Sequence, residues 1–495
     1  MTLTDRLRLS LARRRASLHA ILLMAAVFGA AACATRAPTG VPPVPAPPAP
    51  PATAAFLDTV EQRTFDYFWA TTNPVNGLVP DRYPTPSFSS IAAVGFGLTA
   101  YPIGVERGWI SRGQARARVL VTLRFLWQAP EGTAASGMTG YQGFYYHFLD
   151  MRSGARYQTV ELSTIDTALL LGGVLFCQQY FGAPDADEVA IRAYADSIYR
   201  RVNWQWIQPR APLVSMGWTP EDGFHTYDWR GYDEAMLLYV LALGSPTHPI
   251  ADSAWTAWTG SYRWGTWYGQ SHVGFAPMFG HQYSQLWIDF RGIRDAYMRA
   301  RGMDYFENSR RATYAQQAYA RANPDGWIGY SDTLWGLSAS DGPGDFTRTI
   351  AGKSRTFLGY AARGTDFTEV RDDGTITPTA AGGSVPFAPD ITIPALRAMR
   401  RGFGGALFST YGFLDAFNLT LPADATPPAG RMVPGVGWVD VDYLGIDEGP
   451  ILAMIENYRS ELVWRYMRRS PYIINGLRRA GFTGGWLAAA ARTSP

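Results

Sequence analysis

The chain has 495 residues, 47% hydrophobic and 17% charged, which is enough for one large globular unit with its own core. Net charge is +3, but Arg6, Arg8, Arg13, Arg14, Arg15 and Arg36 against Asp5 put +5 into the first 50 residues and leave the rest at −2, which excludes a nucleic-acid footprint. The six His and two Cys fall at no metal-ligand spacing and no Gly-rich phosphate loop follows a strand pattern, so no metal and no cofactor are expected.

The first segment reads as an export signal. Arg13–Arg15 form a positive region and Ala20–Ala32 a short apolar stretch, too short to span a bilayer. Ala30-Ala31-Ala32-Cys33 is spaced like a bacterial lipoprotein cleavage site. Residues 1–32 are therefore expected to be removed and Cys33 to be acylated; ordinary signal cleavage with loss of Cys33 is the competing reading. Residues 33–53 form a Pro/Ala-rich tether, extended and semi-rigid. The expected location is the periplasm or outer membrane, with the membrane touched only through the lipid anchor. With Cys33 acylated, Cys177 at the end of the apolar run Leu169–Phe176 has no disulfide partner and reads as a buried core thiol.

Residues 54–495 read as one all-α unit built on a segment type that recurs six times. Each copy is a loop rich in Gly, Pro and aromatics that runs into an apolar helix. The copies are Asn73–Phe88 into Ser90–Val105, Gly143–Leu162 into Ser163–Tyr180 and Met216–Gly231 into Tyr232–Leu243. Tyr262–Gly280 into His281–Arg299, Asp373–Pro389 into Asp390–Arg401 and Val433–Ile446 into Asp447–Tyr458 complete the set. More polar helices alternate with them: Leu57–Trp69, Ser111–Trp127, Asp187–Arg201, Ala251–Trp258, Asp304–Ala322, Phe403–Phe417 and Ser460–Met467, then a terminal helix, Tyr472–Ala480. A helix apolar almost all round, such as Ile165–Phe176, is buried on all sides. Six buried helices alternating with outer, amphipathic ones predict a closed double ring whose entry loops open at one end. Ser163-Thr164-Ile165-Asp166 has capping-box spacing. Asp390 and Asp447 read as N-caps, Pro450 as a first-turn residue, and Thr375–Thr379 as a short hairpin arm.

Aromatics make up 14% of the chain, with 17 Trp and 27 Tyr, clustered in loops where core packing alone would not put them. Flat rings beside carboxylates suit sugar binding. Glycoside hydrolysis needs one protonated carboxyl and one ionised carboxylate, held in environments that separate their pKa values. Glu234, beside Asp233 and near Asp228 at the mouth of an apolar helix, is the acid candidate; a plain helix-start acid is its bland alternative. Asp447 is the base candidate, with Glu448 competing and a simple N-cap as the alternative. Asp166 and Glu161 are further carboxylates at a helix mouth, Asp166 doubling as the partner of Ser163. Asp81-Arg82 reads equally as a loop ion pair or a hydroxyl clamp. Trp218, Trp267 and Trp438, with Phe224, Trp229, Trp264, Tyr268 and Trp335, are candidate stacking platforms. His281 and Gln282 are candidate hydroxyl binders.

Four stretches carry a resemblance: Glu161–Leu170 (ELSTIDTALL), Tyr232–Pro246 (YDEAMLLYVLALGSP), Phe279–Phe290 (FGHQYSQLWIDF) and Ile446–Arg459 (IDEGPILAMIENYR). They resemble the bacterial glycoamylase-like family, which includes glycoside hydrolase family 144, and the similarity runs through nearly all of the chain after Ala54. The resemblance implies an (α/α)6 toroid with a central pocket, hydrolysis of β-1,2-glucan with inversion, Glu234 as general acid, Asp447 as base and Asp166 as a supporting carboxylate. Where the family often has Gln after this Asp, the chain has Glu448. Inversion sets the carboxyl separation on the order of 6.5–9.5 Å, or more where a substrate hydroxyl relays the proton. The expected protein is a monomeric, cofactor-free glycosidase. The competing classes are a non-catalytic glycan-binding surface lipoprotein, a glucan transglycosylase and a polysaccharide lyase on the same toroid.

Overall fold

The computed structural model describes residues 50–490, so the expected signal, Cys33 and all but the last few tether residues lie outside the described residues. Helix α1 begins at Pro51, within the stretch expected to be tether. Twelve helices then alternate between an outer and an inner layer. They are α1 (Pro51–Thr71), α2 (Ile91–Glu106), α3 (Arg112–Gln128), α4 (Thr164–Tyr180), α5 (Ala186–Arg201) and α6 (Met236–Gly244). The second half comprises α7 (Ser253–Thr259), α8 (Phe279–Trp287), α9 (Tyr305–Ala322), α10 (Pro378–Gly382), α11 (Pro389–Phe403) and α12 (Gly445–Ser460). Even-numbered helices form the inner ring: α2 packs on α4, α4 on α6, α6 on α8, and α12 on α8, α10 and α2. Gln282 Nε2 closes the remaining gap, donating to the carbonyls of Thr379 and Ala380 at 3.3 and 3.0 Å. The chain is an (α/α)6 toroid.

The inner helices are buried because they carry almost no polar side chains. Every residue of α6 is buried, as a helix apolar on all faces must be. Glycine lets α2 and α4 touch backbone to backbone. A Cβ on Gly95 would lie 2.4 Å from the Leu169 carbonyl oxygen, and one on Gly173 would lie 2.1 Å from that of Gly95. Cys177 sits in this seam, fully buried.

Short β-ladders stitch the N-terminal mouths of the inner helices together. Ser89–Ser90 pairs with Phe148–Leu149, Leu162–Ser163 with Gly217–Trp218, and Arg82–Tyr83 with Tyr443–Leu444. The opposite end is closed by α13 (Leu462–Met467), which packs on α4, α8 and α12. Next, α14 (Pro471–Arg479) covers α6.

Some local expectations fail for identifiable reasons. The fifth inner element is the short α10, and the helix expected at Asp390–Arg401 is the outer α11, with Asp390 in its first turn rather than at its cap. Thr379 lies inside α10, so Thr375–Thr379 is not a hairpin arm. The segment expected as helix Phe403–Phe417 is a 3₁₀ turn and a hairpin, because Gly404 adopts φ +49° and ends α11. Asp447 is a first-turn residue, since Leu444 occupies the cap position without a side-chain bond. Pro450 lies a full turn further in. Its missing N–H frees the carbonyl of Ile446.

Candidate active site

That free carbonyl faces the floor of the ring mouth. Tyr283 Oη, from the first turns of α8, points at Ile446 O at 3.5 Å. Burial holds this phenol far above its usual range, and the carboxylates of Asp447, Glu234 and Asp166 add to the effect, together with Tyr360. Carboxyl groups at three different inner-helix mouths therefore act on one hydroxyl.

Glu234 stands just before α6. Its backbone is fixed by Ser284 of α8, whose Oγ donates to Glu234 O at 2.8 Å and accepts from Leu237 N at 2.8 Å. The side chain is part-exposed, and its Oε2 has no hydrogen-bond partner. Burial pushes its pKa up to about 7, and the Asp166 carboxylate adds to the rise. Asp233 accepts from Ala235 N at 3.0 Å and tightens the turn into the helix.

Asp447 faces the same space from α12. Neither of its oxygens receives an N–H or an alcohol O–H. Burial raises its pKa, the neighbouring carboxyl of Asp415 opposes that rise, and Glu448, Asp341 and Asp81 add repulsion. Asp415 is raised by burial and by Asp447 and Asp341, and its Oδ2 is held by Asp341 N at 2.7 Å. Glu448 turns the other way, towards Thr64 and Tyr67 on α1, with Oε2 buried and unpartnered. Next to the cleft, the competitor for the base position is thus an outward-facing buried acid.

A second group lines the mouth of α4. His147 Nδ1 lies 2.7 Å from Glu161 Oε1 and Nε2 lies 3.5 Å from Asp166 Oδ2, with the ring stacked on Phe148. Burial alone would lower the imidazole; Asp166 and Glu161 outweigh it and push its pKa up to about 9. The Ser163 Oγ accepts from Asp166 N at 3.2 Å and donates to Asp166 Oδ2 at 2.5 Å. The expected capping box is therefore modified, with the carboxylate binding the serine hydroxyl.

Asp81 and Arg82 form the third group. Arg82 holds Asp81 at 3.2 Å and Asp341 at 2.6 Å. Asp81 O accepts from Gly445 N at 2.8 Å and so sets the start of α12. Asp341, Asp440 and Asp442 bring one oxygen each within 4.8 Å of one another, the group of hard oxygen donors that could hold a metal among the described residues. Arg82 already neutralises part of that charge.

Other expected ligand contacts are committed elsewhere. Trp438 is fully buried and donates to Ala429 O at 2.7 Å. Gln282 is the buried strut between α8 and α10, and also reaches Ser384 at 2.8 Å. His281 bonds Phe275 O at 3.0 Å, and burial takes its pKa down to about 3. Asp228 is clamped by Arg210 at 2.6 and 2.9 Å. Trp267 donates to Thr365 at 3.0 Å on an outlying hairpin. Trp335 is core, Trp229 is bonded to Thr164, and Trp218 packs between Tyr141 and Trp206 beside the α4 mouth.

Four residues at the cleft went unnoticed in the sequence: His147, Asp415, Tyr283 and Tyr360. The rarity of histidine and its place in an aromatic-rich entry loop could have pointed to His147. Asp415 was hidden inside the segment misread as a helix.

A family model described as "Glycoamylase: Putative glucoamylase" matches residues 226–471. The curated exo β-1,2-glucooligosaccharide sophorohydrolase (non-reducing end) of Parabacteroides distasonis is 29% identical over 460 residues, covering 86% of this chain. The chain spans 57% of that relative's length. Among solved structures, a "putative glucoamylase" of Bacteroides uniformis is 31% identical with a TM-score of 0.75, covering 88% of this chain and 98% of its own. An endo-β-1,2-glucanase of Chitinophaga pinensis, solved with sophorotriose and glucose, is 27% identical with a TM-score of 0.74, covering 88% and 99%.

Proposed function

Because this chain belongs to the glycoamylase family, we propose that it is a glycoside hydrolase that cleaves β-1,2-linked glucan with inversion. The observation that carries the proposal is that Glu234, Asp166 and Asp447 stand at the N-terminal mouths of three inner helices and that the charges of all three act on one buried hydroxyl, that of Tyr283. The relatives that act on β-1,2-glucans supply the linkage.

In this reading Glu234, raised to about 7 by burial, carries the proton and delivers it to the glycosidic oxygen as the C–O bond breaks. Asp447 takes a proton from water, directly or through a substrate hydroxyl, as the water oxygen bonds to the anomeric carbon. Asp415, raised by burial and by Asp447, is assigned the proton of the pair in this mechanism, and Asp447 the accepting oxygen. Asp166 holds Glu234 protonated by like-charge repulsion. Glu161, His147, Asp81 and Arg82 offer charged hydrogen-bonding groups to sugar hydroxyls. Export and acylation at Cys33 complete the proposal, and they place the enzyme where an external glucan is met.

The test is incubation with β-1,2-, β-1,3-, β-1,4- and α-glucans, with products sized by chromatography. Short β-1,2-linked products are expected, absent for Glu234→Gln and Asp447→Asn. Turnover by both variants at near-normal rates would reject the assignment. Tight oligosaccharide binding with no new reducing ends would favour a glycan-binding protein instead.

A further inference from the structure

We propose that Tyr360 is a sugar-contacting residue of this cleft, its ring a platform for one glucose unit and its hydroxyl a hydrogen-bonding group for that sugar. The proposal rests on the glucan-hydrolase reading and adds to it a residue on the Asp447 side.

Tyr360 is 56% exposed, and its hydroxyl has no hydrogen-bond partner among the described residues. A single exposed aromatic needs no explanation by itself. Its surroundings make this one different. Its loop is tied to the site, because Arg363, which binds the two residues before it, also donates to Asp341 O at 3.3 Å. Asp341 in turn meets Arg82 at 2.6 Å and Asp415 through its N–H at 2.7 Å, and the charges of Asp447, Asp415, Asp81 and Asp341 reach the Tyr360 phenol. Tyr360 is open to solvent on a loop bonded to one wall of the site.

The loop beneath it is pinned. Arg363 is fully buried and grips Asp373 through two bonds of 2.7 and 2.8 Å. The same guanidinium donates to Leu358 O at 3.0 Å, Gly359 O at 3.1 Å and Ser340 O at 2.9 Å. Asp373 accepts from Leu358 N at 2.9 Å, and Asp345 accepts from Gly359 N at 3.0 Å. A buried ion pair is weak evidence for stability, because its desolvation is costly. Here it ties the two residues before Tyr360 to the one before Asp341. The platform and one wall of the cleft are thus fixed to each other. A residue presented on a rigid support, with its face and hydroxyl unused, is organised for a ligand. Aromatic faces bring apolar area and the hydroxyl brings direction, which matches a pyranose with its C–H face and ring of hydroxyls.

Two variants separate ring from hydroxyl, and two readouts separate binding from hydrolysis. On β-1,2-glucan, Tyr360→Ala is expected to raise KM roughly tenfold or more, and Tyr360→Phe about two- to fivefold, with kcat changed less than KM and the melting temperature kept. In a Glu234→Gln background, calorimetric Kd for a β-1,2-glucooligosaccharide should rise by the same factors on adding either change. Wild-type KM and Kd in Tyr360→Ala, or a loss confined to kcat, overturns the role of Tyr360 while leaving the hydrolase reading intact. A wild-type chain that binds the oligosaccharide without cleaving it sinks the hydrolase reading alone, and Kd still decides Tyr360. A chain that neither binds nor cleaves any glucan sinks both.

Discussion

Asp415 and Asp447 are neighbouring buried carboxyls that act on each other in opposite senses, Asp447 raising Asp415 while Asp415 restrains the rise of Asp447, and neither Asp447 oxygen nor Asp415 Oδ1 has another hydrogen-bond partner among the described residues. One proton between two acids leaves the other acid an acceptor, because two ionised carboxylates in contact repel. In the proposed mechanism this pairing is what leaves Asp447 to take a proton, against burial and three further carboxyls that oppose its ionisation.

An amide can imitate this. In Asp415→Asn the carbonyl can still accept from Asp341 N, and the NH₂ can donate to Asp447. Asp415→Asn should keep kcat within about tenfold of wild type, whereas Asp415→Leu should lose on the order of a hundredfold or more. Steady-state kinetics on both variants checks this, and equal losses would mean that the bond to Asp447 does not matter.

With Glu234 as the proposed general acid, its raised pKa is expected to set the alkaline side of the activity profile. A general acid acts only while protonated, so kcat/KM should fall as pH rises through about 7. Removing the Asp166 charge makes the ionised form of Glu234 easier to reach. In Asp166→Asn the alkaline limb should therefore move to lower pH, by about half a unit to one unit. A pH–rate profile that stays in place, whatever the variant's rate, would separate Asp166 from Glu234.

His147 makes a prediction about stability. Its folded pKa lies above its unfolded value, so its ion pairs contribute fully below the unfolded pKa and fade as pH rises through about 9. His147→Asn should lower the melting temperature near neutral pH. The gap from wild type should close as pH is raised from about 8 to 10. A gap that is constant over that range would mean that the imidazole acts by packing on Phe148 alone.

The seam between α2 and α4 is a matter of backbone contact. Gly173→Ala would drive a methyl into the carbonyl of Gly95, and neither helix can retreat without opening the ring. A loss of about 1–3 kcal/mol is expected by denaturant unfolding, as for other overpacked cores. An unchanged midpoint would show that the ring is looser than its geometry.

Much of the ring was legible because the inner helices announce themselves. Ser90 and Ser163 cap apolar runs, and both side chains accept from the third residue on, Ala93 N and Asp166 N. Glu234, Asp447, Asp166, Glu161, Asp81 and Arg82 were legible as carboxylates and one cation at loop-to-helix junctions, and the fold does bring those junctions to one end. What failed depended on direction or on tertiary contact. Nothing in Trp438 or Gln282 distinguishes a side chain turned inward from one turned to a ligand. Glycine at 402, 404 and 405 overrode an apolar spacing that looked helical, and Asp415 was lost with that segment. The fifth inner helix was misplaced because α10 spans only Pro378–Gly382, too short for a periodic pattern, while α11 behind it has a clear one.

The central claim is that Asp447 activates a water on the face opposite the proton donor Glu234. Proton NMR of the first products from β-1,2-glucan tests it most directly. New reducing ends should appear as the α-anomer before mutarotation, and none should appear with Asp447→Asn. Products that are born as the β-anomer, or an Asp447→Asn enzyme that turns over normally, would contradict it.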